Sequence, residues 1–227
     1  MDQPVNPADW LARRRRLDSL LRLQAAVMGG DPALPEAVRL LADSLGDPDD
    51  DIRELAAAAL SEFGPDAQIA LPELINATTD ASPIVRRRAI RAIGYIGPIA
   101  ADDSLHALIS ATEDSDDGVA LQALATLGEF GPLAVPALPA LMSAIWAGDV
   151  RRRALAGAAV LRLGDAAVPY LIPSLAHPSA DVRAKAAQIL GRLGSAAAPA
   201  VPHLKTLDHD ADEAVRTAAA AAITTIG

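Results

Sequence analysis

The chain has 227 residues, 51% hydrophobic and 22% charged, with a formal charge of -9, a pI of about 4.8 and no cysteine. That composition supplies enough apolar surface for a packed core and excludes a disordered chain, disulfides and thiolate metal sites, while the net negative field opposes nucleic acid and anionic membranes. Aromatics make up only 3%, so the core falls to Ala, Leu, Ile and Val, which favours close-packed helices over an aromatic-lined cofactor cavity.

The first residues, MDQPVNPADWLARRRR, put acids ahead of bases and lack an apolar signal core. No long, strongly apolar stretch free of charge and turn signals follows, so the chain is expected to be cytoplasmic, neither spanning nor binding a membrane. Residues 1–30 are expected to hold one N-terminal capping helix, with Leu17, Leu21, Ala25 and Met28 at helical spacing and Gly29 closing it. Arg13 to Arg16 circle that helix instead of forming a stripe, which reads as a solvated cap.

From residue 31 the chain repeats. Gly64, Gly97, Gly131, Gly164, Gly194 and Gly227 recur at separations of 33, 34, 33, 30 and 33 residues, each at the end of a helical pattern. A period of this length carrying helical patterns predicts stacked helix pairs, here 31–64, 65–97, 98–131, 132–164, 165–194 and 195–227 as one continuous domain. The first helix of each pair is expected near 33–45, 68–78, 102–111, 134–147, 167–176 and 199–207. Pro72, Pro136, Pro169 and Pro202 lie near helix starts, where no hydrogen bond is lost, whereas Pro139 and Pro173 should bend or delay their helices.

The second helices read IRELAAAALSEFG, VRRRAIRAIGYIG, VALQALATLGEFG, VRAKAAQILGRLG and VRTAAAAAITTIG. Their apolar positions, for example Val182, Ala186, Ile189, Leu190 and Leu193, trace one helical face, and Ala56, Ala89, Ala123 and Ala219 mark a seam of close approach. The fourth, VRRRALAGAAVLRLG from Val150, is two letters longer, so a local irregularity is expected there. Ser82 and Ser179 are N-cap candidates, Asp51, Asp149 and Asp181 suit a first turn, and the recurring glycines should supply a left-handed closing residue. Arg53, Arg86, Arg151, Arg183 and Arg216 recur and read as a ladder joining successive units. At the far end Ala218, Ala221 and Ala222 have no evident cover.

D-V-R-x-x-A at Asp181–Ala186, D-V-R at Asp149–Arg151, I-R-x-x-x-A at Ile52–Ala57 and the A-V-P-x-L starts at Ala134–Leu138 and Ala167–Leu171 resemble HEAT-like repeats, most closely the type named after phycobilisome lyases. Ala120 departs from the pattern where arginine is usual, and Ala214 where aspartate is. The resemblance implies an all-α, right-handed α-solenoid of six HEAT-like helix pairs preceded by one N-terminal capping helix, with the second helices on the concave face. It also implies a protein-binding scaffold, an assembly or regulatory factor, or a subunit of an enzyme that attaches or detaches bilins.

No catalytic, cofactor or metal site is expected. His106, His177, His203 and His209 are scattered. The cluster His203, Asp208, His209, Asp210 and Asp212 reads as a solvated turn, and the acid runs Asp47–Asp51 and Glu113–Asp117 read as helix-start charges on one rim. Non-recurring side chains are the candidates for binding: Arg87, Arg88, Arg91 and Tyr95 in the second unit, Arg152 and Arg153 in the fourth, and Lys185, Gln188 and Arg192 in the fifth. A basic, partly aromatic groove floor suits carboxylates on a protein or peptide partner. The leading expectation is therefore a non-enzymatic interaction scaffold. A bilin lyase or isomerase subunit, and a structural segment that self-associates through the C-terminal repeat, are the alternatives.

Overall fold

The computed structural model describes residues 7–28 and 34–227, which are helical apart from short connections. Cα packing resolves two compact units, Met1–Thr126 and Leu127–Gly227. Gly29 lies outside the described residues.

The first unit opens with α1 (Pro7–Met28), which packs against α2 (Leu34–Ser44) and α3 (Asp50–Glu62). Its contact face differs from the expected one. Leu20 is buried with Leu17 and Leu23 half-buried beside it, whereas Leu21 and Ala25 are exposed. The reason lies one turn earlier. Arg13 bonds Asp49 and Asp51, and Arg16 meets Asp47 at 3.0 Å, so the arginine run tethers the helix and sets its rotation.

Next come α4 (Leu71–Ala77), led in by a 3-10 turn at Gly64–Ala70, then α5 (Pro83–Ile96), α6 (Ala101–Ala111) and α7 (Asp117–Glu129), in which the division between the units falls. α5 packs against both α4 and α3. The second unit continues with α8 (Leu138–Ala147), α9 (Val150–Leu163), α10 (Val168–Leu171), α11 (Ala180–Leu193), α12 (Val201–Thr206) and α13 (Glu213–Ile226). There α8 lies on α9, and α11 lies on both α9 and α13. Pro139 stands at the second position of α8 behind a 3-10 segment, and Pro173 leaves the stretch after α10 as 3-10 helix, so both delay or break a helix as their missing amide requires.

All six recurring glycines have positive φ, and among the described residues no other residue type does. At three of them ψ is far from the left-handed helical value: Gly97 has φ 84 and ψ -160, Gly164 has 66 and -138, Gly194 has 60 and -139. This is a region essentially closed to side chains with a Cβ. A 3-10 turn begins at or directly after Gly64, Gly97, Gly131, Gly164 and Gly194.

Counting back from these glycines, every second helix begins fourteen residues earlier, including α9. The fourth unit therefore has no lengthened helix. Val150 is merely its first residue, 74% exposed, and Asp149 is its N-cap, accepting from the amides of Arg151 and Arg152 at 2.8 and 2.9 Å. Ser82 and Ser179 occupy N-cap positions without a capping side-chain bond, and Asp49 and Asp212 cap their helices instead.

The same register lines up Ala56, Ala89, Ala123, Ala156, Ala186 and Ala219, all at most 1% exposed. These form the seam. Beside it Val182, Ile189 and Leu190 are buried while Leu193 is half-buried. Packing is tight enough to demand glycine, since a Cβ on Gly191 would lie 2.9 Å from the Cα of Ala222 and one on Gly128 would lie 3.1 Å from that of Ala159. Ala218 and Ala222, expected to lack cover, are buried at 7% and 2%, because α11 lies over them, while Ala221 is exposed.

The helical run Val150–Ala176 has the length and mean hydropathy, 1.4, of a membrane span. Gly164 at φ 66 divides it, and α9 alone has 14 residues. At about 1.5 Å per residue α9 spans about 21 Å, short of a hydrocarbon core of about 30 Å.

Candidate functional site

Two sets of polar side chains run along the second helices, and the glycine register separates them. The first set lies eleven residues before each glycine. Arg53 donates through Nε and Nη2 to Asp80 at 2.7 and 3.0 Å, and through Nη1 to the Asp47 carbonyl at 2.8 Å. Arg86 repeats this with Asp114 at 2.8 Å for both bonds and the Asp80 carbonyl at 2.8 Å. Arg183 does so with Asp210 at 2.7 Å for both and the His177 carbonyl at 2.8 Å. Each arginine thus holds its own loop by the backbone and the next loop by a two-pronged charge-assisted pair.

Each aspartate also accepts the amide two residues on, that of Ser82, Asp116 or Asp212. Burial raises the pKa of Asp80 and of Asp114, but the arginine bonds, the accepted amides and the nearby guanidinium charge outweigh it and hold both below the ordinary value. Asp210 is lowered chiefly by its bond to Arg183. At the start of the array Arg16 of α1 meets Asp47, the equivalent acid.

The expected ladder contained Arg151, and here the structure corrects the sequence. Because α9 starts at Val150, Arg153 takes the rung position and Arg151 is exposed on another face. The acid position for Arg153 is filled by His177, whose Nδ1 accepts the Ser179 amide at 3.1 Å. The imidazole keeps the aspartate's backbone role without its charge. In the third repeat the arginine position holds Ala120, and in the fourth the acid position holds Ala147.

The second set occupies the face of each second helix opposite its buried seam. In the first unit Ile84, Arg88, Arg91 and Tyr95 form one stripe on α5, with Arg87 next to it. Arg88 reaches Glu54 at 3.6 Å, and its Nε is buried without an acceptor among the described residues. Arg91 lies 5.2 Å from the centre of the Tyr95 ring and donates to its hydroxyl at 3.1 and 3.3 Å. Arg87 extends over Gly118, where a Cβ would meet its Nη1 at 3.2 Å.

In the second unit Lys185, Gln188 and Arg192 share a stripe on α11, with Lys185 held by Asp181 at 2.5 Å. Gln188 and Arg192 line an open groove of about 900 Å³ whose floor is Ala214, Thr217, Ala218, Ala221 and Thr225 of α13. Arg152 does not join them. It stands, half-buried, where the other second helices bury Ile52, Val85, Val119, Val182 or Val215, while Arg153 stands on the rung. Arg151 and Arg162, both exposed on the open stripe of α9, were missed. Counting back from Gly164 finds them, whereas counting forward from D-V-R does not.

The acidic and histidine clusters are largely engaged. Asp47, Asp49 and Asp51 hold α1, while Asp210 holds Arg183 and Asp212 caps α13. His106, His203 and His209 are exposed. Among the described residues no three His, Asp or Glu side chains converge as metal ligands.

Residues 71–162 and 146–224 match the family model for HEAT repeats, which spans well over half of the chain. The chain belongs to the HEAT-repeat family. No curated protein matches it. Solved structures similar to this HEAT-repeat protein include the archaeal HEAT-like repeats protein from Thermococcus onnurineus NA1, 17% identical at a TM-score of 0.55 over 99% of this chain and 98% of that one. An engineered protein is 21% identical at a TM-score of 0.55 over 83% and 96%, and a designed armadillo repeat protein 21% identical at 0.50 over 86% and 100%. At these identities the likeness is one of fold, and it agrees with an all-α solenoid. The match is to HEAT repeats as a family and does not extend to the phycobilisome-lyase type.

Proposed function

We propose that this HEAT-repeat protein is a non-enzymatic scaffold that holds a carboxylate-rich protein segment on the open face of its second helices. One observation carries the reading. Inside a protein of charge -9, arginines with no side-chain partner among the described residues stand on this kind of face in each unit: Arg87, near the Arg91–Tyr95 pair, in the first, and Arg151, Arg162 and Arg192 in the second. Arg53, Arg86 and Arg183 are consumed by the ladder, whereas these are not. A guanidinium with free donors recognises a carboxylate with two parallel bonds, and a tyrosine beside it adds apolar area at little entropic cost.

The test uses acidic helical peptides selected from a display library on the wild-type protein, titrated against Arg91→Glu and Arg192→Glu by fluorescence anisotropy at low and high salt. Reversal should weaken binding by about tenfold or more and flatten its salt dependence. Equal affinity of wild type and both variants would overturn the assignment of this face.

A further inference from the structure

Besides Arg153, whose acid position is filled by His177, one ladder arginine, Arg216, has an outward edge that meets no carboxylate among the described residues. Arg216 of α13 repeats the inward half of the rung: its Nη1 donates to the carbonyls of Asp210 and Ala211 at 2.7 and 3.2 Å, as Arg86 does to Asp80 and Ala81. In Arg53, Arg86 and Arg183 the Nε–Nη2 edge then grips an aspartate at 2.7 to 3.0 Å. In Arg216 that edge meets no carboxylate among the described residues. The backbone bonds fix the guanidinium, so the edge is presented ready-oriented.

The surface beside it is shaped for the same purpose. Ala220 and Thr224 of α13 are exposed and occupy the register of Ala187 and Gly191 of α11. On α11 that register receives the next helix, Ala187 being buried and Gly191 approached by Ala222. Small residues there allow a helix to lie close along α13.

We propose that this face of α13 docks a helix pair whose connecting loop carries an aspartate that closes the rung on Arg216. Charge complementarity selects the occupant, since three rungs within this chain define the carboxylate position and its backbone-accepting loop. A second copy of the chain is a poorer occupant. Its own equivalent acid, Asp47, has a side chain only 11% exposed and is already paired with Arg16 of α1. This surface is separate from the open face proposed above.

The probe is a stapled helical hairpin whose loop copies Asp210–Asp212, together with its asparagine counterpart at the first aspartate. It is titrated into the full chain while the arginine Nε–H resonances are followed by NMR. The expected result is saturable binding with the largest side-chain shift at Arg216, weakened about tenfold or more for Arg216→Gln and for the asparagine hairpin. Arg192→Glu should leave it unchanged, which separates this face from the open one. Circular dichroism of Arg216→Gln controls for folding, and Arg216→Lys, which keeps the charge but not the fork, should recover only part of the affinity. Equal binding by wild type and Arg216→Gln would overturn the proposal. So would absence of binding, or self-association of the wild type that Arg216→Gln abolishes.

Discussion

Two glycines isolate the backbone from everything else a substitution changes. A Cβ built on Gly97 or on Gly157 meets no atom within 4 Å, so neither replacement by alanine creates a clash. They differ in conformation, Gly97 having φ 84 and ψ -160 while Gly157 lies within α9 with ordinary helical geometry. For Gly97→Ala the cost is that of holding a residue with a Cβ in a region open only to glycine, about 1–3 kcal/mol. For Gly157→Ala the unfolded chain loses freedom and the helix gains a better former, a stabilisation of about 0.5–1 kcal/mol. Gly164→Ala, with no neighbour within 4 Å and φ 66, should follow Gly97. Urea unfolding followed by far-UV circular dichroism, with midpoints compared at unchanged slope, reads all three. The opposite signs are the test. If Gly97→Ala and Gly157→Ala shift the midpoint equally or in the same direction, the glycines are not recurring for their backbone conformation, and the register built on them fails.

The Arg86–Asp114 rung, with both side chains 13% exposed, should show a coupling of about 1–2 kcal/mol in a double-mutant cycle of Arg86→Ala and Asp114→Ala. Additive effects would make the rung decorative. Because Asp80, Asp114 and Asp210 sit below their unfolded value of about 3.9, their contribution is fully present above it and disappears as pH falls through the lower folded values. The melting temperature should therefore hold from neutral pH to about pH 5 and fall below about pH 4, more shallowly in Asp114→Asn, and an identical acid profile in that variant would contradict this. His177→Asp should complete the rung with Arg153 and stabilise the chain by about 0.5–1.5 kcal/mol, checked by the same urea titration, where no gain would show that Arg153 cannot reach the acid position.

The glycines made the fold legible because they answer to a local steric rule that no tertiary contact can replace. Once positive φ is demanded at six places, the alanine seam and the helix starts follow by counting, and Ala156 falls into line with Ala56 and Ala186 only when the count runs backward from Gly164. The error in the fourth repeat came from the other end. Asp149-Val150-Arg151 copies the letters of Asp181-Val182-Arg183, yet Asp149 is an N-cap while Asp181 is already in the first turn of its helix. A short aspartate motif satisfies either role, since both amides and the positive end of the helix dipole favour a carboxylate there. Local letters were degenerate where backbone geometry was not.

The open face was harder to read for the converse reason. Packing dictates residue type only where atoms are crowded, so the exposed stripe of α9, from Arg151 to Arg162, obeys no periodic rule of its own and becomes visible only after the buried positions are subtracted. The ladder sharpens that subtraction. Arg86 and Arg88 are two residues apart on α5, yet one is fixed by four hydrogen bonds and the other rests 3.6 Å from Glu54. A partner's carboxylate must displace a two-pronged aspartate to claim Arg86, whereas Arg192 and Arg162 hold no carboxylate among the described residues. Any acidic segment that binds this protein will therefore be sorted by the cations the ladder leaves over, and charge reversal at a rung will register as lost stability before it registers as lost binding.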